Sequence, residues 1–293
     1  MEIIGPASCY FISQRIRLHY VDWGNPTAPP LLLVHGGRDH ARSFDWVARE
    51  LRDRYHVVVP DLRGHGDSAW SIGSNYHMHE FVYDLAQLID VVAGDGGKVT
   101  AIGHSFGGAI LSNYASSFPE RIEKFVNIEG FGPPPHLAEQ WSETPMHEQM
   151  RTWVEQLRGI AERAPRRYVS IAEASERMKK ENPSLSDTQA EHLTIHGVAR
   201  NEDGTYSWKF DNYFRSFPPR IWDPDALTKM WERITCPTLL VKGIKSWAAD
   251  PNTDPRFQVF PNSTNVEIED AAHWVHHDNF ESFIHNVNEF LDN

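Results

Sequence analysis

The sequence predicts an α/β protein with a mostly parallel central sheet flanked by helices. Short runs of β-branched and leucine residues that stop at Gly or Pro predict buried strands. The segments between these runs carry apolar residues at helical spacing, and strands that alternate with helices build a sheet covered on both faces. A chain of 293 residues can bury a large core around such a sheet.

Six apolar runs are the predicted strands of this sheet. In chain order they are residues 31–34, 55–59, 99–102, 125–128, 238–241 and 266–268. Phe81, Leu85, Leu88 and Val92 recur three or four residues apart, which predicts a helix with one apolar face. Residues 280–291 repeat this pattern and predict a C-terminal helix.

One long segment, residues 133–224, interrupts the alternation of strands and helices. It lacks a strong strand signal and is bounded by prolines, so we expect a mainly helical cap inserted after the sixth core strand. Residues 1–132 and 225–293 then form the core. Residues 151–180 hold eight Lys or Arg and four Glu, a local charge of +4. The segment is either a solvated helical surface or a cap whose aromatic side chains line a pocket. Its tryptophans are Trp141, Trp153, Trp208 and Trp222.

The composition excludes several functional classes. With 28 Lys and Arg against 40 Asp and Glu, the net charge of −12 disfavours binding to a nucleic-acid backbone. No run of about 18 apolar residues predicts a membrane span, and the first residues lack the pattern of a secretory signal, so we expect a cytoplasmic protein. Cys9 and Cys236 are too few for a disulfide framework. The expected partner is a small-molecule substrate, with no nucleic acid and no membrane, and homo-oligomer formation stays open.

The strongest chemical signal is the G-x-S-x-G pattern around Ser105. It follows the predicted strand 99–102 and precedes the helix-like residues 109–114. A serine on a sharp strand-to-helix turn needs neighbours without a Cβ, and Gly103 and Gly107 supply them. Amides at the start of the following helix favour developing negative charge. The pattern therefore predicts a serine nucleophile.

Four motifs follow one another along the chain and are spread over nearly its whole length outside the predicted cap. They are HGG at 35–37, DLRGHGDS at 61–68, GHSFGG at 103–108 and AAHW at 271–274. Together they resemble the α/β-hydrolase fold family, which implies the α/β-hydrolase fold and hydrolytic chemistry. RDH at 38–40 and IEGFGP at 128–133 are similar to its serine-hydrolase-like subgroup.

The resemblance implies a catalytic triad. His273 lies just beyond the last predicted strand, where the family carries the base that takes the serine proton. The acid is open between two residues. Many relatives carry it after the penultimate strand, but Lys245 and Ser246 stand at the expected position and Asp250 follows them. Other relatives carry it after the strand that follows the nucleophile's helix, where Glu129 stands, and Glu129 is our preferred acid.

The oxyanion hole should consist of two backbone N–H groups. One belongs to Phe106, directly after the serine. The other comes from the HGG turn, either from Gly37, which we prefer, or from Arg38. Loss of one such donor costs about 10²–10³-fold in kcat.

The predicted function is that of a carboxylesterase that forms an acyl-enzyme and cleaves a small to medium apolar or aromatic substrate. We expect no cofactor, because the acyl-enzyme mechanism needs none. We also expect no metal, because the metal-like run His77-Met78-His79-Glu80 lacks an adjacent Asp-His partner and residues 80–84 are typical of the first turn of a helix. Serine at position 105 disfavours the dehalogenase and epoxide-hydrolase branches, which need a carboxylate nucleophile. C–C, thioester and lactone hydrolysis remain alternatives, as does a non-catalytic small-ligand receptor.

Overall fold

The structure, a computed structural model, describes residues 5–73, 76–133, 135–216, 218–219 and 224–293. Its strands are β1 (Ala7–Ser13), β2 (Ile16–Asp22), β3 (Pro30–Val34), β4 (His56–Pro60), β5 (Val99–His104), β6 (Ile122–Ile128), β7 (Val198–Arg200), β8 (Tyr206–Trp208), β9 (Thr238–Gly243) and β10 (Ser263–Ile268). Its α-helices are α1 (Asp45–Leu51), α2 (Met78–Ala93), α3 (Phe106–Ser117), α4 (Pro135–Glu143), α5 (Met146–Ala161), α6 (Ile171–Glu181), α7 (Asp187–Gly197), α8 (Pro224–Trp231), α9 (Val275–Asp278) and α10 (Phe280–Asp292). Within these ranges no helix is both long enough and apolar enough to cross a bilayer.

Eight strands form one sheet in the order β1-β2-β4-β3-β5-β6-β9-β10. The pairs β1–β2 and β2–β4 are antiparallel, and all other neighbouring pairs are parallel. The predicted fold class is confirmed, and the six predicted strands correspond to β3, β4, β5, β6, β9 and β10. Because parallel strands end at one edge of the sheet, the loops after β3, β5, β6 and β10 meet there.

The sequence gives no signal for the β1–β2 hairpin. Its turn residues, Gln14 and Arg15, both have positive φ, 44° and 69°. Two-residue hairpin turns with this backbone normally use Asn-Gly or Asp-Gly. Since the turn contains neither of these dipeptides, only the structure shows the hairpin.

Helices cover both faces of the sheet. Alternate residues of a strand point to opposite faces. Leu32 and Val58 therefore join the core that α2 and α3 complete, whereas Leu31 and Val57 join the core beneath α1 and α10. The two helices predicted from periodicity are confirmed as α2 and α10. The residues that bury their apolar faces include Phe81, Leu85, Leu88, Phe283, Ile284, Val287 and Leu291.

Between β6 and β9 the chain leaves the sheet and forms α4 to α7, the antiparallel β7–β8 hairpin and α8. The hairpin is a departure from the expected absence of strands, because three-residue strands are too short to show a period of two. Hydrogen bonds tie this inserted segment to the sheet domain. Tyr76 donates its hydroxyl to Asp211 at 2.6 Å, and the Gln189 amide donates to the His277 carbonyl at 2.9 Å. The division into core and cap at residues 133 and 224 stays a prediction.

The loop after β4 supports the turn after β3. The Asp61 carboxylate accepts hydrogen bonds from His19 Nδ1 at 2.6 Å, from the Ala41 amide at 2.7 Å and from the Asp67 amide at 2.9 Å. Gly66 has a φ of 53°, and a Cβ there would lie 2.1 Å from the Asp61 carboxylate. Glycine is required at this position because the loop closes directly over the buried acid.

Candidate active site

Ser105 lies on the sharp turn between β5 and α3. Its φ of 50° and ψ of −115° are unusual for a residue with a side chain. A Cβ on Gly103 would lie 2.8 Å from the Gly107 carbonyl carbon, and a Cβ on Gly107 would lie 2.2 Å from the Val34 carbonyl oxygen. Gly103 therefore lets the end of β5 approach the start of α3, and Gly107 lets α3 approach the end of β3, which together hold the serine in this backbone conformation.

His273 connects Ser105 to Glu129 at the carboxyl edge of the sheet. Its Nε2 lies 2.9 Å from Ser105 Oγ, and its Nδ1 lies 2.6 Å from Glu129 Oε2. A carboxylate can only accept, so Nδ1 carries the proton that is donated to Glu129. Nε2 is left with a lone pair that accepts the serine hydroxyl. This is the tautomer that a base must have in order to remove the serine proton.

The Glu129 side chain is completely buried and follows β6 in a left-handed backbone conformation, with a φ of 55°. Besides His273, it accepts the Gly243 amide at 2.8 Å and the Ser246 hydroxyl at 2.6 Å. Three donors thus compensate a buried carboxylate. Asp250, the alternative acid, instead accepts the Asn252 amide at 2.9 Å. The structure brings Glu129, not Asp250, against His273.

His104 lies beneath the loop that carries His273 and is not among the predicted site residues. Its Nε2–H donates to the His273 carbonyl at 2.8 Å, and the two rings lie 4.9 Å apart between centroids. Burial, and secondarily the proximity of His273, holds the pKa of His104 well below its usual range. A neutral His104 therefore fixes the backbone of His273 without adding a positive charge beneath it.

The turn after β3 lies against the start of α3 beside Ser105. A Cβ on Gly36 would lie 3.4 Å from Ser105 Cβ, and a Cβ on Gly37 would lie 3.9 Å from Phe106 Cβ. His35 holds the turn, because its Nδ1–H donates to the Gly36 carbonyl at 2.7 Å. Burial lowers the pKa of His35 to about 3, which keeps this ring neutral. The predicted oxyanion donors are thus brought together, and their role stays a prediction.

A cavity of about 920 Å³, here called the serine cavity, opens above Ser105 and His273. Its aromatic lining residues are Phe106, Phe214, Trp247 and Trp274. The Trp247 ring lies 4.8 Å from the His273 ring between centroids.

Of the four tryptophans in the inserted segment, Trp208 lines an adjoining cavity, while Trp141 and Trp153 line neither cavity. Trp222 lies outside the described residues. Residues 133–224 thus contribute Phe214 to the aromatic lining of the serine cavity, and its other three aromatic residues come from outside this segment.

Two groups of side chains in the described ranges have metal-like spacing. In one, Asp45 lies beside His192 and His196, but Arg42 Nε donates to both carboxylate oxygens of Asp45 at 2.8 and 2.9 Å. The other is built on Asp61, whose carboxylate already accepts three hydrogen bonds. Existing donors occupy the oxygens that a metal would need in both groups. His77 and His79, from the metal-like run, stack with ring centroids 5.2 Å apart at the start of α2.

Ser246 is the site residue that the sequence came closest to revealing. Its position after β9 is where many relatives carry the acid. The absence of a carboxylate there therefore indicates that another side chain supplies the acid. The short distance from its hydroxyl to Glu129 needed the folded arrangement of β6 and β9.

Comparison with known proteins agrees with the fold. The sequence model of the alpha/beta hydrolase fold family matches residues 29–280. "Serine hydrolase-like protein 2" of Homo sapiens is 28% identical over 64% of this chain, and the match spans only 60% of the human protein. "Epoxide hydrolase 1" of Caenorhabditis elegans is 25% identical over 97% of this chain and 70% of its own length.

Solved structures give the same result. A thioesterase domain from the curacin biosynthetic pathway superposes with a TM-score of 0.82 at 22% identity, covering 97% of this chain and all of that domain. An esterase of Mycobacterium tuberculosis superposes with a TM-score of 0.78 at 22% identity, covering 99% of this chain and 93% of the esterase. At such identities the likeness shows the fold. Because the family model matches most of the sequence, this chain belongs to the α/β-hydrolase fold family.

Proposed function

We propose that this chain is a serine hydrolase that cleaves a carboxylic ester through Ser105, His273 and Glu129. The observation that carries the proposal is the hydrogen-bonded series from the Ser105 hydroxyl through the His273 ring to the buried Glu129 carboxylate. This series lies at the floor of the serine cavity, where a substrate carbonyl can reach it. Its members stand in the chain order nucleophile, acid, base.

In the first half of the reaction, Ser105 Oγ attacks the ester carbonyl as His273 Nε2 takes its proton. Glu129 stabilises the imidazolium that forms. The amides of Phe106 and Gly37 hold the oxyanion of the tetrahedral intermediate. When this intermediate collapses, His273 returns the proton to the leaving alcohol and an acyl-enzyme remains.

In the second half, His273 removes a proton from a water molecule that attacks the acyl carbonyl. The second tetrahedral intermediate expels Ser105 Oγ, which recovers its proton from His273, and the carboxylic acid leaves. Every proton passes through one imidazole, so the reaction requires no redox or group-carrying cofactor.

The nucleophile and the cavity narrow the substrate class. Serine at position 105 makes an ester intermediate by acyl transfer, whereas opening an epoxide through an ester needs a carboxylate nucleophile. The name of the Caenorhabditis elegans relative therefore does not carry over to this chain. The aromatic lining favours an apolar or aryl group beside the carbonyl. One structural neighbour is named a thioesterase, so thioesters belong in the same test.

The test is a series of initial rates on p-nitrophenyl esters of increasing acyl length and on the matching thioesters. Ser105→Ala should abolish turnover, while Ser117→Ala, an exposed serine on the same helix α3, should leave it unchanged. Folding of each variant is checked by circular dichroism. Hydrolysis that survives in Ser105→Ala contradicts the proposal. A folded wild-type protein that retains one ligand tightly without turnover favours a receptor instead.

A further inference from the structure

A second cavity adjoins the serine cavity and has a volume of about 730 Å³. We call it the arginine cavity. The two cavities share one wall, made of Gly37, Arg38, Glu181, Asn182, Arg215 and Trp274. Arg38 and Arg215 therefore line the same cavity as Ser105 as well as the arginine cavity.

The arginine cavity has a strongly positive lining. Five arginines line it, against one carboxylate, that of Glu181. The arginines are Arg38, Arg166, Arg167, Arg177 and Arg215. The whole chain carries a formal net charge of −12, so the positive charge of this cavity is opposite in sign to the net charge of the chain. A concave site of one sign of charge attracts ligands of the opposite sign.

Some of these arginines are already neutralised and others are not. Arg177 forms an ion pair with Glu181, and Arg167 forms one with Asp203 at 2.5 Å. Arg38 and Arg215, both on the shared wall, form no ion pair with any of the described residues. Arg215 instead lies over the Phe210 ring at 5.5 Å.

Arg38 and Arg215 reach the shared wall from different parts of the chain. Arg38 belongs to the turn after β3 and has a φ of 64°, whereas Arg215 belongs to the inserted segment. Burial lowers the pKa of Arg215 and the positive charge of Arg38 lowers it further, while the Glu181 carboxylate on the same wall acts in the opposite direction. Two guanidinium groups in the lining of one cavity offer several N–H donors to a bound anion.

From this geometry we infer that the substrate carries an oxyanion group, a carboxylate, sulfate or phosphate, that binds between Arg38 and Arg215 while its acyl carbonyl lies at Ser105. The inference deepens the proposed function and rests on it. Away from the shared wall, neutral side chains that include Trp208, Phe210 and Asn201 also line this cavity. The serine cavity then holds the apolar part of the substrate and the arginine cavity holds the charged end.

The test compares two series of esters whose members differ, at each chain length, in one negative charge. The first series consists of p-nitrophenyl monoesters of dicarboxylic acids from succinate to suberate, and the second caps the free acid as its methyl ester. At the best chain length, the wild type should favour the anionic ester in kcat/KM by about 10- to 100-fold, the range expected for hydrogen bonds to a charged group. Arg215→Gln and Arg38→Gln should each bring this ratio towards one. Arg163→Gln, an exposed arginine of the same basic region that lines neither cavity, should leave it unchanged.

Failure of this inference is distinct from failure of the proposed function. A wild type that hydrolyses both esters with equal kcat/KM overturns the anion site and leaves the hydrolase in place. If neither ester is hydrolysed, the proposed function fails, and titration of Ser105→Ala with monomethyl adipate, inorganic sulfate and inorganic phosphate decides the anion site. Binding that Arg215→Gln weakens at least tenfold supports the site and identifies the oxyanion, and no binding of any of the three overturns it.

Discussion

Glu129→Gln changes one oxygen of the candidate triad to an NH₂ group while preserving its size. In the wild type, Oε1 accepts the Gly243 amide, while Oε2 accepts Ser246 and His273. If the glutamine NH₂ faces Gly243, two N–H groups oppose each other in a buried site, which costs about 1–3 kcal/mol. The NH₂ group therefore faces His273. The ring then accepts at Nδ1 and carries its proton on Nε2, so that it cannot take the proton of Ser105.

The size of the effect follows from this tautomer. An amide in place of the acid of such a triad lowers kcat by about 10⁴-fold. At about 1.4 kcal/mol per tenfold change in rate, this corresponds to roughly 5–6 kcal/mol of lost transition-state stabilisation. KM should change little, because Glu129 lies behind His273 and the substitution acts through that ring.

The assay is steady-state hydrolysis of the best p-nitrophenyl ester, with Asp250→Asn as the matched control. The half-buried Asp250 side chain accepts hydrogen bonds within its own turn, from the Asn252 amide and the Thr253 hydroxyl, and its substitution by Asn should leave kcat within about twofold, a change below about 0.5 kcal/mol. A Glu129→Gln variant that keeps near-full kcat while Asp250→Asn loses it would refute the reasoning.

Two further predictions concern the surroundings of the site. Ser246→Ala removes a hydrogen bond to the buried Glu129 carboxylate, so kcat should fall about 10- to 100-fold. Ser246→Thr keeps a hydroxyl and should recover part of the lost kcat. Equal kcat values for the Ala variant, the Thr variant and the wild type would exclude a positioning role. The second prediction is acid sensitivity, because burial lowers the pKa of His35 and His277 to about 3 and of His65 to about 4. The unfolded chain binds these protons below about pH 6.5 and the folded protein does not, so stability should fall with decreasing pH at about 1.4 kcal/mol per pH unit for each histidine. Urea midpoints measured from pH 7 to pH 4 test this, and a constant midpoint would contradict it.

The sheet and the nucleophile could be predicted because local sequence determines them. Apolar runs ended by Gly or Pro mark β3, β5 and β6, and the G-x-S-x-G pattern marks the turn at Ser105 within a few adjacent residues. The same holds for α2 and α10, whose periodicity is visible in any short window. Features of this kind depend on neighbours in the chain.

The features that the sequence left open depend on distant contacts. Glu129 could be preferred but Asp250 could not be excluded, because each follows a core strand and only the packing of β6 beside β9 brings one of them to His273. The turn of the β1–β2 hairpin consists of Gln14 and Arg15, which are not residue types that usually form such turns. The arginine cavity joins Arg38 to a side chain 177 residues later, Arg215, and both lie outside the basic run of residues 151–180.

The proposed hydrolase activity depends on an activated hydroxyl at Ser105. Covalent labelling detects this hydroxyl without knowledge of the substrate. The protein is incubated with a fluorophosphonate, and its intact mass and proteolytic peptides are recorded. We predict one adduct per chain, on Ser105, that is absent in Ser105→Ala and formed far more slowly in His273→Ala. A folded wild-type protein that takes up no label, or takes it up on another serine, would contradict the central claim.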